Sequence, residues 1–516
     1  MTKTLEFDII FLIEQLSSIS PDWIYAAFLF AQIRGYGSFP EIKRLRIKPF
    51  LGKKEIYMNK TNKMGLEPVK SLMLKMGLPM IISMALQAFY NIVDSYFVSC
   101  MHDTADIQNM GDYGVNALTL AFPIQMLMVA IGVGTGVGLN ALLSKSLGEK
   151  KRTEASRIAG NSIFLGLCTF AVFFIFGIFG VNAYMRSQTS DPIIYKMGGT
   201  YLRICTVFSI GITMYTTYEK LLQATGRTML STIAQISGAV SNIILDPIMI
   251  FGLLGCPEMG IAGAAYATVI GQCISFILDS VFHYKYNKQD LDTNFSYIKP
   301  DIKIIKKIYQ VGIPAIIMQA LMSVMTYGIN IIFGSVSAAA VTAYGMYYKI
   351  QQFVFFAAFG MNNAMIPIIG FNFGMRDKNR VIEGIRYGIL YTLIIMFIGG
   401  FGLQIFAKQI CSCFAVSSET QNLCILAIRI ITIGYLFVGT NIACQGIFQA
   451  LGHGIASLIL SMLRLIVIVF PLAWIFTLSS NAQQIIWSVF PAAEAAAFIY
   501  SFLFLKHIKK HDLRSL

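Results

Sequence analysis

Charged side chains are scarce in this sequence. They make up 13% of its 516 residues, and Asp and Glu together number only 26. Soluble domains carry roughly 25% charged residues, so a water-facing surface for a chain of this length cannot be assembled from so few. Histidine is also scarce: the five residues are isolated, which argues against a metal site. The nine cysteines are scattered, and the one close pair, Cys411 and Cys413, has neither a zinc nor a redox spacing. They read as small apolar residues of membrane helices. No G-x-x-x-x-G-K-[ST] loop occurs, so direct use of ATP is not expected. No nucleophile–base pair or metal cluster is visible either. A membrane enzyme is therefore disfavoured, and no cofactor is expected.

What the chain has instead is apolar length. Hydrophobic residues reach 56% and mean hydropathy is +0.65, with long runs such as 163–180 and 458–479. A helix needs about 20 such residues to cross a ~30 Å hydrocarbon core. Twelve spans are predicted, at roughly 74–99, 114–142, 157–181, 195–221, 229–253, 261–283, 308–333, 338–371, 382–407, 422–448, 455–478 and 484–507. The organisation expected is an N-terminal extension over 1–70, a first lobe over 71–284, a linker over 285–307, and a second lobe with a short tail over 308–516. The extension carries an apolar stretch, Trp23–Ile33, too short to span, and a basic run from Lys43 to Lys54. It is expected to be disordered or to precede a natural start at Met58 or Met64; a tail lying on anionic lipid is the alternative.

The net charge of +14 is placed in loops. Lys145, Lys150, Lys151, Arg152 and Arg157 follow the second span; Lys285, Lys288, Lys299, Lys303, Lys306 and Lys307 fill the linker; Arg376, Lys378, Arg380 and Arg386 follow the eighth span. The loop after the first span holds His102, Asp103, Asp106 and Asp112 and no Lys or Arg. The positive-inside rule then puts both termini on the cytoplasmic face of a cell membrane. Basic residues so distributed point to lipid rather than to nucleic acid.

The two halves repeat. Ile124-Gln125 recurs as Ile350-Gln351, Leu202-Arg203-Ile204 as Ile428-Arg429-Ile430, and Gln223-Ala224-Thr225-Gly226 as Gln449-Ala450-Leu451-Gly452, each at an offset of 226. Gly77-Leu78-Pro79 matches Gly312-Ile313-Pro314 at 235, because the first half has a longer loop after its first span. Six spans per half make this a parallel repeat about an axis along the membrane normal. Gly132, Gly134, Gly136 and Gly138 resemble a phosphate loop, but they sit within an apolar span and lack either nucleotide fingerprint. Close helix packing is the reading they support.

Ionisable groups inside spans are costly and mark ion or substrate paths. Gln87, Asn91 and Asp94 stand at i, i+4 and i+7 on one face of the first span, with Tyr90 beside them. Asn242 and Asp246 share a face of the fifth span, and Pro247 cannot donate to the carbonyl of Ile243. A carboxylate, an amide oxygen and a free carbonyl suit a proton or a small hard cation; alternatively, Asp246 satisfies the kink. Lys349 enters the eighth span, as a cavity or gating residue or as a snorkelling or paired one. Arg203 and Arg429 occupy equivalent places, which favours a shared structural role.

Tyr90-Asn91-Ile92-Val93-Asp94, Asn242-Ile243-Ile244-Leu245-Asp246-Pro247 and Gln223-Ala224-Thr225-Gly226 resemble the MATE family of multidrug and toxic-compound extrusion transporters, its MepA-like Firmicute members above all, over residues 70–510. The resemblance implies an all-α integral membrane fold of two pseudo-symmetric six-helix lobes in a V. It implies alternating access and export of amphipathic, often cationic drugs against entry of H+ or Na+. It also implies a cation site of Asp94, Asn242 and Asp246, joined by Thr268 and, from the polar stripe, Asn91. Tyr90, Gln87, Lys349 and Gln319 are the candidates for the substrate cavity. A monomer in the plasma membrane is expected. One departure matters: NorM-like members use acids on the seventh and tenth spans, whereas here the seventh has none and the tenth offers Arg429. Glu494 is the only acid deep in the second half. The runner-up is a flippase of lipid-linked precursors, for which a strongly cationic cavity would be expected.

Overall fold

The computed structural model describes residues 62–516 except 104–108, 415 and 515, and except the side chains of Ala88, Asn91 and Ile92. Met58 and the basic run over 43–54 lie outside the described residues. Lipid offers backbone groups no partners, so spanning segments satisfy their hydrogen bonds internally as helices. The first lobe comprises α1 (Val69–Ser99), α2 (Met110–Gly148), α3 (Arg152–Gln188), α4 (Pro192–Val207 continued by Ile210–Ala224), α5 (Thr228–Ile250) and α6 (Ile261–Tyr286). The second comprises α7 (Ile302–Gly334), α8 (Ala338–Gly374), α9 (Lys378–Ser412), α10 (Ser418–Ala450), α11 (Gly454–Thr477) and α12 (Ala482–His511). Asp191, Asp301 and Asp377 cap α4, α7 and α9, their carboxylates accepting from backbone N–H groups of the first turn.

Eleven of the described helices are long and apolar enough to cross a membrane. The fourth predicted span is the exception because α4 is interrupted at Phe208 and Ser209, which leaves pieces of 16 and 15 residues. Its repeat partner α10 has a 3-10 turn at the matching place, Thr432–Gly434. The repeat extends to backbone angles. Gly226 and Gly452, with φ of 80° and 88°, close the turns after α4 and α10. Lys150 and Arg376 both have φ of 59°, in the turns after α2 and α8.

The glycine stripe of α2 packs two ways: Gly134 and Gly138 meet α7 of the other lobe, and Gly132 and Gly136 meet α4 of their own. A Cβ on Gly134 would lie 2.7 Å from the backbone nitrogen of Ile316 on α7, and one on Gly360 of α8 would lie 2.8 Å from that of Ile81 on α1. At the ends of α2 and α8 the crossing is reciprocal: Gly148 abuts the carbonyl oxygen of Phe371, and Gly374 abuts that of Lys145. The stripe is therefore a packing device. Gly138 is held against the carbonyl oxygen of Ile308, which cannot yield because it is backbone. Gly138→Val is accordingly expected to cost about 1–3 kcal/mol by overpacking, read as a lowered melting temperature of the detergent-solubilised chain.

Helix alternation puts the basic loops and both ends of the described residues, Asn62 and Leu516, at one end of the helical body, here the basic end. Toward that end the lobes share a core in which Met73, Met76 and Met80 of α1 and Val137 and Ala141 of α2 pack with Ala315 of α7 and Met361, Met365 and Ile369 of α8. Toward the opposite end each lobe keeps its own core, one around Ala117, Met185 and Tyr201 and one around Phe333, Tyr344 and Trp487. A short helix, Lys63–Leu66, sits across the shared end. Asn62 donates to Thr225 O and Asp290 Oδ1 on the first-lobe side, at 3.0 and 3.2 Å. Arg380 donates to Met64 O and Glu67 O from the second lobe, at 2.8 and 2.7 Å.

Candidate functional site

Two glycines build the first-lobe site. Gly238 of α5 and Gly271 of α6 abut each other's backbone, and Ser275 Oγ donates to Ala234 O at 3.1 Å one turn further along. One turn the other way, this close crossing sets Asn242 beside Thr268. Asn242 Nδ2 donates to Asp246 Oδ1 at 3.2 Å and points at Thr268 Oγ1 at 3.5 Å. Asp246 is fully buried and Asn242 nearly so. Asp94 of α1 closes the site, within electrostatic range of Asp246.

Three oxygens here have no hydrogen-bond partner among the described residues: Asp94 Oδ1, Asn242 Oδ1 and Asp246 Oδ2. All three only accept. A buried acceptor without a donor is expensive, and a buried carboxylate more so. Among the described residues, no Lys or Arg acts on either acid. Two carboxyl groups, an amide oxygen and a hydroxyl, short of hydrogens and of positive charge, form a receptor for a proton or a small hard cation.

The residues singled out in the sequence do not all meet. Asp94, Asn242, Asp246 and Thr268 come together, with Tyr90 as a neighbour of both acids. The side chain of Asn91 lies outside the described residues. Gln87 belongs to a polar ladder nearer the basic end, where it accepts from Gln235 Nε2 at 3.3 Å and Ser83 bonds to the same Gln235. Arg203 donates to Asn182 Oδ1 at 2.6 Å, while the Arg429 backbone carbonyl accepts from Gln404. Tyr201 and Cys205 of α4 also face Asp94 and are tied together by Gln125 of α2, which donates to them at 3.1 and 3.7 Å. The sequence signal for these was their spacing: Tyr201 and Cys205 stand at i and i+4.

The second lobe holds a cavity of about 110 Å³, lined by Met318, Gln319, Gln351, Phe355 and Tyr435 among others. Gln319 lies there; Lys349 does not. Lys349 is exposed and stands about three turns from Gly360 on one face of α8. That face packs on α1 nearer the basic end, so Lys349 points from the second lobe toward the first. At the floor of the cavity Arg464 donates to Glu494 Oε1 through Nε at 2.9 Å and Nη2 at 2.7 Å. Asn441 Nδ2 donates to Glu494 Oε2 at 2.7 Å, and Ser501 Oγ to Asn441 Oδ1 at 2.8 Å. Arg464, on the π turn Leu463–Val467 of α11, is a residue the sequence reading passed over, although an arginine amid the apolar run 458–479 was its signal.

Twelve described helices in two lobes related by a rotational repeat, with acids that lack partners among the described residues inside one of them, define a multi-pass membrane transporter. The MatE family pattern matches residues 79–248 and 314–475, and the chain belongs to that family. The multidrug export protein MepA of Staphylococcus aureus is 24% identical over 439 residues, covering 83% of this chain and 92% of the relative. MepA of Staphylococcus haemolyticus is 25% identical over 431 residues, covering 84% and 92%. The fold is that of a multidrug resistance MATE transporter solved in an outward-facing conformation, with a TM-score of 0.81 and 22% identity over 89% of this chain and 100% of that one. A MOP superfamily transporter from Pyrococcus furiosus superposes with a TM-score of 0.80 at 22% identity, over 88% and 98%.

Proposed function

We propose that the chain is a cation-coupled antiporter that exports amphipathic, often cationic drugs by alternating access. The observation that carries this reading is the set of three partnerless oxygens on Asp94, Asn242 and Asp246. A proton or Na+ entering from outside binds there, alters the packing of α1 against α5, and the first lobe rearranges to release the drug outward. The relatives' printed function, multidrug export, supports the substrate class. The cavity of methionine, glutamine and aromatic side chains suits varied amphipathic molecules. The basic end faces the cytoplasm, and both termini with it. Separate cores at the other end support a state open to the outside. One chain contains both the ion site and the cavity, so the working unit is a monomer in the cell membrane.

The flippase reading needs an excess of positive charge in the cavity, but Arg464 is neutralised there by Glu494. The test is ethidium efflux from cells expressing the chain, in Na+ and in choline buffer, with and without an ionophore. Efflux that collapses with the ion gradient is expected. Absence of efflux in both buffers would refute drug export, and efflux indifferent to the ionophore would refute coupling.

A further inference from the structure

A second group of ionisable residues lies in the first lobe, nearer the basic end. Asp279 of α6 is fully buried, and neither carboxylate oxygen has a hydrogen-bond partner among the described residues. Its charged neighbours are Glu219 and Lys220 of α4. Those two form an ion pair at 3.6 Å with Lys220 4% and Glu219 12% exposed. Gln223 joins them, its Nε2 donating to Glu219 Oε1 at 2.6 Å and its Oε1 accepting from Lys220 Nζ at 2.9 Å. Lys220 is held in this place by Gly136 of α2, where a Cβ would fall 2.6 Å from Lys220 Cγ.

Two acids and one ammonium leave one uncompensated negative charge in a dry site, and a single proton cancels it. The other elements packed around Asp279 offer no alternative. α5 has no ionisable side chain but Asp246, and α2 has none between Tyr113 and Lys145. On α6 itself the nearest such group toward the basic end is His283, whose Nδ1 is bonded to Asn287 at 2.9 Å. α1 contributes Tyr90 and α4 Tyr215. Tyr215 lies within electrostatic range of Glu219, Asp279 and Tyr90, and Tyr90 in turn of Asp94 and Asp246. Thr268 and Asp279 are eleven residues apart along α6, about 16 Å at ~1.5 Å per residue. That is too far for one proton hop, and the two phenols stand between.

We infer that the first lobe has two proton-exchanging carboxyl pairs, Asp94 with Asp246 and Glu219 with Asp279, bridged by the hydroxyls of Tyr90 and Tyr215, and that the second pair passes the coupling proton to the basic end. The inference rests on the export reading for its direction but not for proton binding itself. The transfer is of H+ alone: a carboxyl O–H breaks at the first pair and one forms at the second. Lys220, paired with Glu219 and within electrostatic range of Asp279, is placed to compensate whichever of the two is ionised.

Infrared difference spectra of the purified full-length chain between acid and alkaline buffer test proton binding directly. Two sets of protonated-carboxyl bands are expected. Asp94→Asn should remove one and spare the other; Asp279→Asn should remove the other. Lys220→Met is the second probe: without the ammonium the cluster should keep its proton to higher pH. Bands unchanged in Asp279→Asn, or, should that variant not fold, an unshifted midpoint in Lys220→Met, would overturn the assignment. In vesicles, Asp279→Asn should slow proton-driven ethidium efflux about tenfold with ethidium binding retained. Wild-type vesicles that move no ethidium would sink the export reading, while the infrared result would stand on its own.

Discussion

Asp94→Asn is expected to abolish coupled efflux while the chain still folds and inserts. Asn has the size of Asp and keeps an acceptor for neighbouring groups, but it cannot take up or release a proton and binds a small cation poorly. Each inward charge supplies about 2.3 kcal/mol per 100 mV, equivalent to a roughly 50-fold gradient of a neutral substrate. Loss of the ion therefore removes the whole of that factor. Vesicles with an imposed ion gradient should show wild-type accumulation and, for Asp94→Asn, only passive equilibration. Unchanged accumulation would refute the role of Asp94. Because Asp94 is only partly buried and makes no ion pair among the described residues, its replacement should leave the melting temperature nearly unchanged, which separates a coupling defect from a folding one.

The second lobe should respond in the opposite way. Arg464→Met leaves Glu494 buried and charged beside a thioether, and breaking such a pair costs about 3–5 kcal/mol. A marked fall in melting temperature in detergent is expected. Combining Arg464→Met with Glu494→Gln should restore most of it, since the amide oxygen still accepts from Asn441 and no charge is stranded. The combined variant should also keep the ion dependence of transport, because the pair is already neutral and asks for no ion. Failure of the second substitution to recover stability would show that Arg464 acts through its packing rather than its charge.

The spans were legible because lipid fixes their length and backbone chemistry, and the offset of 226 was legible because both halves keep the same turns. Asp94, Asn242 and Asp246 could be read because an acid in an apolar run has few reasons to be there. What escaped the sequence depends on which helix faces which. Periodicity places Glu494 and Arg464 on faces of α12 and α11, but nothing in it makes those faces meet. The break in α4 was hidden since the apolar pattern runs through Phe208. Lys349 showed its depth along α8, while its direction came only from the glycine crossing at Gly360. Asp279 was there to be noticed by the same rule that exposed Asp246; without Glu219 and Lys220 beside it in space, it had no partner to argue from.

The matched glycine crossings have a mechanical consequence. Gly148 against Phe371 and Gly374 against Lys145 form an isologous contact, the kind two identical protomers make across a twofold axis. Such a contact has no hinge side. Rotation about the axis loosens both crossings by the same amount, so neither can serve as a pivot while the other opens. In the alternating access proposed above, the basic end would therefore part in one concerted step, and the Lys63–Leu66 turn that rests on both protomer-like halves would have to let go of at least one of them.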